Sequence, residues 1–261
     1  DTVGEILRAL DESGMRDETI VIFLSDNGMS FPFSKTNCYL NSNKTPLIIR
    51  WPGVVTPGRI EERAMVGAVD FLPTILDILS IKAPYKLDGM SYKRLLYGRK
   101  WRGPEYVYTH FTSNSGQYAE PMRCIQNHDF AYVFSPWADG EREFKSETTS
   151  GLSFKAMQRA AVSDSTLARR VHFFRYRALE EFYDLRKDPD ALHNLIEDPD
   201  YASQIAVFRK AMEQKMVESG DNALEAFRGR NDSATLQRYI AAQQAKADGY
   251  KENKRRSQNK K

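Results

Sequence analysis

Thr19-Ile20-Val21-Ile22-Phe23-Leu24-Ser25-Asp26-Asn27-Gly28 is the stretch that decides the fold class. Its first six residues are apolar or β-branched with no polar alternation, the pattern of a strand covered on both faces. Upstream, Val3, Ile6, Leu7, Leu10 and Met15 recur close to helical spacing, and Gly14 supplies a C-terminal stop, so residues 3–15 are predicted to form an amphipathic helix. A helix running into a doubly buried strand predicts an α/β unit built on a parallel sheet.

Downstream, residues 28–45 lack any period and are rich in Asn, Ser, Thr and Pro, which predicts a long loop. Pro46–Trp51 reads as a second buried strand, stopped by Pro52-Gly53. Asp70–Leu79 reads as a helix with Asp70 near its N-cap and Pro73 in its first turn, where the missing N–H costs nothing. Past residue 100 the pattern changes. Tyr106–His110, Met122–Gln126, Phe130–Phe134 and Glu181–Leu185 are short strand-like runs, the middle two joined by Asn127-His128-Asp129 as a hairpin turn. Residues 139–178 read as a charged excursion of helix and loop. Residues 202–217 form a predicted helix with Ile205, Phe208, Met212 and Met216 on one face, and 223–247 a second, more polar one. The expected organisation is an α/β part over 1–104, a small α+β part with an antiparallel sheet and a packed helix over 105–220, and a polar helix with a disordered basic tail over 221–261.

The 261 residues are 41% hydrophobic and 28% charged, which supports a folded core and excludes a disordered chain. No apolar run is long enough for a bilayer span, so no membrane partner is expected. The net charge of +3 resides in the tail: Lys251–Lys261 carries six basic residues against Glu252, and the remainder is slightly acidic. A basic end of this kind does not make the body a nucleic-acid binder, and no nucleic-acid partner is expected. Cys38 and Cys124 are too few for a disulfide framework and lie in no metal spacing.

The chemistry is expected at Asp26-Asn27-Gly28, where the first strand runs out into the long loop. In open α/β sheets ligands gather at the carboxyl ends of strands. A carboxylate beside an amide oxygen suits a hard divalent cation such as Ca²⁺, and Gly28 lets the backbone turn away. Ser25-Asp26-Asn27-Gly28 also reads as an ordinary turn.

Lys35 follows in Phe31-Pro32-Phe33-Ser34-Lys35-Thr36-Asn37, and then Thr45-Pro46 and an apolar strand ending Trp51-Pro52-Gly53. This order closely resembles the type I sulfatases of the alkaline-phosphatase superfamily. Val69–Asp77, Leu87-Asp88-Gly89-Met90-Ser91, and Phe182–Pro189 with His193-Asn194-Leu195 resemble further family segments. Within the family, Phe31-Pro32, Thr36-Asn37 and Pro121-Met122-Arg123 are similar to the heparan N-sulfatase group, whereas Lys35 stands for an Arg and Ser113-Asn114-Ser115 stands where that group has histidines. The resemblance implies an α/β sulfatase-like fold, present here in part, and a sulfated glycan as substrate. It implies Asp26 and Asn27 as metal ligands for Ca²⁺, with the remaining ligands outside this chain, and Lys35 as the catalytic basic residue on the sulfate.

The family's nucleophile is a formylglycine made within a Cys/Ser-x-Pro-x-Arg segment, and this sequence contains none. The resemblance therefore implies the C-terminal portion of a sulfatase with its formylglycine upstream, inactive by itself. The implied location is periplasmic or secreted for a bacterial source, lysosomal or extracellular for a eukaryotic one. His110 and Arg123 are further candidates for substrate contact; a structural histidine and a structural ion pair are their plain alternatives. A non-catalytic glycan-binding remnant and a phosphoester or phosphonate hydrolase of the same superfamily are the competing functions. Imidazole ligands suit Zn²⁺ whereas oxygen ligands suit Ca²⁺, so the Asp-Asn pair argues against the phosphoester or phosphonate hydrolase.

Overall fold

The computed structural model describes residues 1–113 and 118–258, with side chains to Glu252; Asn114, Ser115 and the terminal Lys260 and Lys261 lie outside the described residues. The chain divides into two units, one made of Asp1–Asp26 and Thr45–Val107, the other of Asn27–Lys44 and Tyr108–Lys261. The long loop thus leaves the unit that flanks it in sequence and belongs to the other.

In the first unit, α1 (Thr2–Glu12) leads through a short turn to β1 (Val21–Leu24), which pairs with β2 (Leu47–Arg50). The helix, the strand positions and the order agree with the sequence reading, but the pairing does not. β1 and β2 run antiparallel, with Val21 opposite Arg50 and Leu24 opposite Leu47. A parallel pair needs a crossover laid back over its own sheet. The segment between these strands contains only the four-residue helix α2 (Leu40–Asn43) and packs within the other unit. Double burial also fails: Phe23, Leu24, Leu47 and Ile48 are exposed, because among the described residues this sheet has two strands only.

α3 (Phe71–Ile78) and α4 (Lys93–Leu96) complete this unit around Asp70, Thr74 and Tyr92, all nearly inaccessible. Asp70 does not cap α3 with its side chain. Its carboxylate accepts from Gly67 N (2.8 Å) and Met90 N (2.8 Å), its carbonyl accepts from Thr74 Oγ1 (2.7 Å), and that hydroxyl accepts from Tyr92 N (3.0 Å). One residue therefore ties the start of α3 to the Leu87–Ser91 turn. The turn passes so close that a Cβ on Gly89 would lie 2.1 Å from Val69 O.

The second unit is built on a sheet ordered β3 (Val107–Ser113), β4 (Ala119–Gln126), β5 (Phe130–Phe134), β6 (Glu180–Asp184). The β4–β5 and β5–β6 pairs are antiparallel, as expected, and Asn127 Oδ1 closes the hairpin by accepting from Asp129 N and Phe130 N. Every β4 residue is buried. One face carries Tyr132, Phe134 and Phe182, whose rings meet Phe208 of α7 (Ala202–Ser219) and Phe227 of α8 (Leu224–Arg228). The predicted stripe Ile205, Phe208, Met212 and Met216 is the buried face of α7.

The opposite face carries Met122, Cys124, Ala131, Val133 and Tyr183. It is covered by α5 (Leu152–Ala160), α6 (Ser165–Tyr176) and, unexpectedly, by Phe33, Cys38 and Tyr39 of the loop. The last predicted helix is two: α8 stops at Gly229, and Asp232 opens α9 (Ser233–Gln258) by accepting from Ala234 N and Thr235 N. The basic stretch is helical to Gln258 rather than disordered from Lys251.

Candidate functional site

Asp26 closes the first unit and Asn27 opens the second, so the proposed ligand pair marks the point where the chain passes from one to the other. Asp26 is exposed and Asn27 partly so. Gly28 is required here by space: a Cβ would lie 2.0 Å from Asn41 O and 2.3 Å from Ser34 Oγ, and its N–H donates to Ser42 O (3.0 Å). The loop thereby folds back on itself directly after the pair.

Lys35 sits on this folded loop, between two residues in left-handed backbone conformations, Phe33 (φ 61°) and Thr36 (φ 64°). Thr36 is β-branched, and such a conformation is costly and persists only where the surroundings enforce it. Asn37 is one source of that enforcement. Its amide donates to Lys35 O (2.9 Å) and Ser34 O (3.3 Å), while its Oδ1 accepts from Arg177 Nη2 (2.5 Å). Lys35 N donates to Met29 O (3.0 Å). The backbone of Lys35 is thus fixed from both sides, and its Nζ lies 2.8 Å from Glu147 Oε1, both side chains being about 40% exposed.

The anchor beneath the loop is a buried polar group. Arg177, itself at φ 57°, donates Nη1 to Tyr39 OH (2.7 Å) and lies against the rings of Phe33, Phe144 and Phe174. Tyr39 OH and Tyr183 OH both donate to Glu181 Oε2, at 2.8 and 2.6 Å. Burial raises the Glu181 carboxyl above its ordinary range, opposed first by the charge of Arg177.

The other candidates are placed differently. Arg123 is buried and grips Asp221 bidentately, Nε to Oδ2 at 2.7 Å and Nη2 to Oδ1 at 2.9 Å, with Nη1 on the carbonyls of Phe111 and Met122. Burial alone would raise the Asp221 carboxyl, but this guanidinium holds it below the usual range. That is the geometry of a structural ion pair. His110 lies within β3, not at its end, and is exposed; packing around the ring and then the nearby Arg123 charge lower its pKa. Cys38 and Cys124 are buried free thiols, Cys38 pushed up to about 12 by burial, so neither is poised as a nucleophile.

No group of three or more His, Cys, Asp or Glu suited to a metal occurs among the described residues. Asp26 and Asn27 match a hard cation in donor type. In number they fall short of the six to eight oxygens typical of Ca²⁺. Sequence reasoning reached Asp26, Asn27 and Lys35; Glu147 and Arg177 it did not, since one carboxylate and one arginine in a charged stretch carry no motif.

Glu120 is a further perturbed group. It is buried, Lys145 N donates to its Oε1 (2.6 Å), and burial pushes its carboxyl up to about 8 from an ordinary 4.5. Across that window the folded state holds a proton the unfolded chain has released, so its contribution to stability falls as pH rises. Urea titrations should show wild type losing on the order of 2 kcal/mol more than Glu120→Gln between pH 5 and pH 7.

Comparison with known proteins adds the following. Residues 29–138 match the family described as N-sulphoglucosamine sulphohydrolase, C-terminal. An ulvan-active sulfatase of Formosa agariphila is 30% identical over 221 residues, covering 83% of this chain and 41% of the relative. The N-sulphoglucosamine sulphohydrolase of Homo sapiens is 30% identical over 240 residues, covering 84% and 45%. The structure of a 2-O GAG sulfatase superposes with a TM-score of 0.62 at 21% identity, covering 84% of this chain and 41% of the other, a likeness of fold. The chain spans less than half the length of each of these proteins.

Proposed function

Since this chain is related to the sulfatases, and to their C-terminal portion in particular, we propose that it forms part of an enzyme removing sulfate, as ester or sulfamate, from sulfated glycans. The observation that carries this reading is Lys35: a cation held on a strained loop whose backbone is fixed by Asn37 and Arg177, with its side chain partly open to solvent and its ammonium on the exposed Glu147 carboxylate. Such a group binds an anionic sulfuryl group and stabilises charge that builds on it as its bond breaks. The names of the relatives, an ulvan-active sulfatase and an N-sulphoglucosamine sulphohydrolase, support a sulfated sugar as substrate.

Asp26 and Asn27 would supply two oxygen donors to a divalent cation such as Ca²⁺, the others coming from sequence that this chain does not contain. When bound, the cation would polarise a sulfuryl oxygen. A formylglycine nucleophile would likewise come from outside this chain, and its buried thiols are unsuited to replace it. Work on sulfated glycans accords with a periplasmic, secreted or lysosomal setting.

The test is hydrolysis of a sulfated disaccharide by the intact protein. Lys35→Ala should lower kcat/KM about a hundredfold, the scale of removing one group that stabilises developing charge. A variant within twofold of wild type overturns the assignment of Lys35. Retained saturable binding with no turnover in wild type would leave a glycan-binding protein and overturn the hydrolase.

A further inference from the structure

We infer that Glu147 is a specificity residue, favouring a sugar whose sulfated position is flanked by a hydroxyl or amine over one carrying a second anionic group there. The inference rests on Lys35 taking the sulfate.

Glu147 begins a single turn of tight helix, Glu147–Ser150, directly before α5. The turn is held by its own hydroxyls: Ser146 Oγ and Thr148 Oγ1 share a hydrogen bond (2.7 Å), Thr149 Oγ1 donates to Ser146 O (2.6 Å), and Ser150 Oγ donates to Glu147 O (2.9 Å). Thr148 is buried at 1% exposure, which pins the turn to the unit. Lys35 is pinned equally from the loop side. Two fixed backbones therefore bring an ammonium and a carboxylate to 2.8 Å with both side chains open to solvent.

An exposed ion pair of this kind is weak and opens readily. A sulfate arriving at Lys35 Nζ displaces the carboxylate from the ammonium but does not remove it, since Glu147 can swing only within the reach of its own side chain. The bound ligand then meets a negative acceptor beside its sulfated position. A neighbouring hydroxyl or amine donates to that carboxylate. A neighbouring sulfate or carboxylate is repelled by it, and discrimination arises as much from this repulsion as from the attraction. Sulfated sugars differ in just this respect, in whether adjacent positions carry one anionic group or two.

The experiment compares two disaccharides, one singly sulfated with a free neighbouring hydroxyl and one with a second sulfate at that neighbour, as substrates of the intact protein. Wild type should prefer the singly sulfated compound in kcat/KM, and Glu147→Gln should reduce that preference about tenfold, chiefly by lowering KM for the disulfated compound. Glu147→Ala should do the same and also weaken the singly sulfated compound, which loses its acceptor. An unchanged preference in both variants, with Lys35→Ala still lowering kcat/KM about a hundredfold, overturns the role of Glu147 alone. Lys35→Ala handling both compounds like wild type overturns the reading of Lys35 and this inference with it.

Discussion

Arg177→Met is expected to destabilise the unit formed by 27–44 and 108 onwards by about 3–5 kcal/mol, the usual consequence of removing one partner from a buried charged group. Arg177 is 7% exposed and serves three functions that methionine cannot. It faces the fully buried Glu181, fills the hydrogen-bond demand of Tyr39 and Asn37, and stacks among aromatic rings. Without it Glu181 retains its two tyrosine donors but loses its principal opposing charge, so its carboxyl rises further. The folded variant then holds its proton over a wider range, and its deficit should grow as pH rises above the carboxylate range. Arg177→Lys should recover part of the loss, because a single ammonium cannot span the Asn37 and Tyr39 acceptors as the guanidinium fork does. Urea denaturation at pH 5 and pH 8 measures both effects. Hydrogen exchange at Lys35–Asn37 should quicken beyond the global change, since Asn37 loses its anchor; exchange there that matches the rest of the unit would show that the loop is held by other means.

Asp70→Ala should have a comparable effect in the other unit. Its carboxylate satisfies two backbone N–H groups that join α3 to the Leu87–Ser91 turn. Hydrogen bonds to a charged acceptor contribute about 1.5–3 kcal/mol each, and since both donors here are only part-buried water can partly replace the carboxylate, so about 3 kcal/mol is expected in all. Asp70→Asn should lose less, because the amide keeps one acceptor oxygen. Thermal unfolding with a probe in each unit, Trp51 or Trp101 against Trp137, should place the destabilisation on the tryptophans of the first unit. Equal shifts in both probes would show that the units unfold as one.

The parts of the fold that were legible in sequence are those whose partners are local. The α7 stripe at Ile205, Phe208, Met212 and Met216, the strand Phe130–Phe134 and the Asn127 turn each follow from spacing within a few residues. The direction of β1 against β2 did not, because an apolar run of six looks the same in either pairing. The loop was harder still. Asn37 and Tyr39 look like ordinary loop residues until Arg177 and Glu181 are set against them, 140 and 142 residues away. Of the candidate site, Asp26, Asn27 and Lys35 came from motif order, whereas Glu147 emerged only from its distance to Lys35. Arg123 shows the converse: an arginine in a recognisable motif whose guanidinium is committed to Asp221.

The separation between Tyr39 and Glu181 also sets a timetable. At about 5–20 residues per second, a ribosome that has made Tyr39 needs roughly 7–30 s more to make Glu181. Until β4 and β5 have been made Phe33, Cys38 and Tyr39 have no sheet to cover, and the sheet stays incomplete until β6, which carries Glu181, ends the interval. The nascent chain therefore carries an uncovered apolar group next to Lys35, the residue proposed to hold the sulfate. Conditions that slow elongation should lower the soluble yield of this protein more than that of one whose contacts close locally.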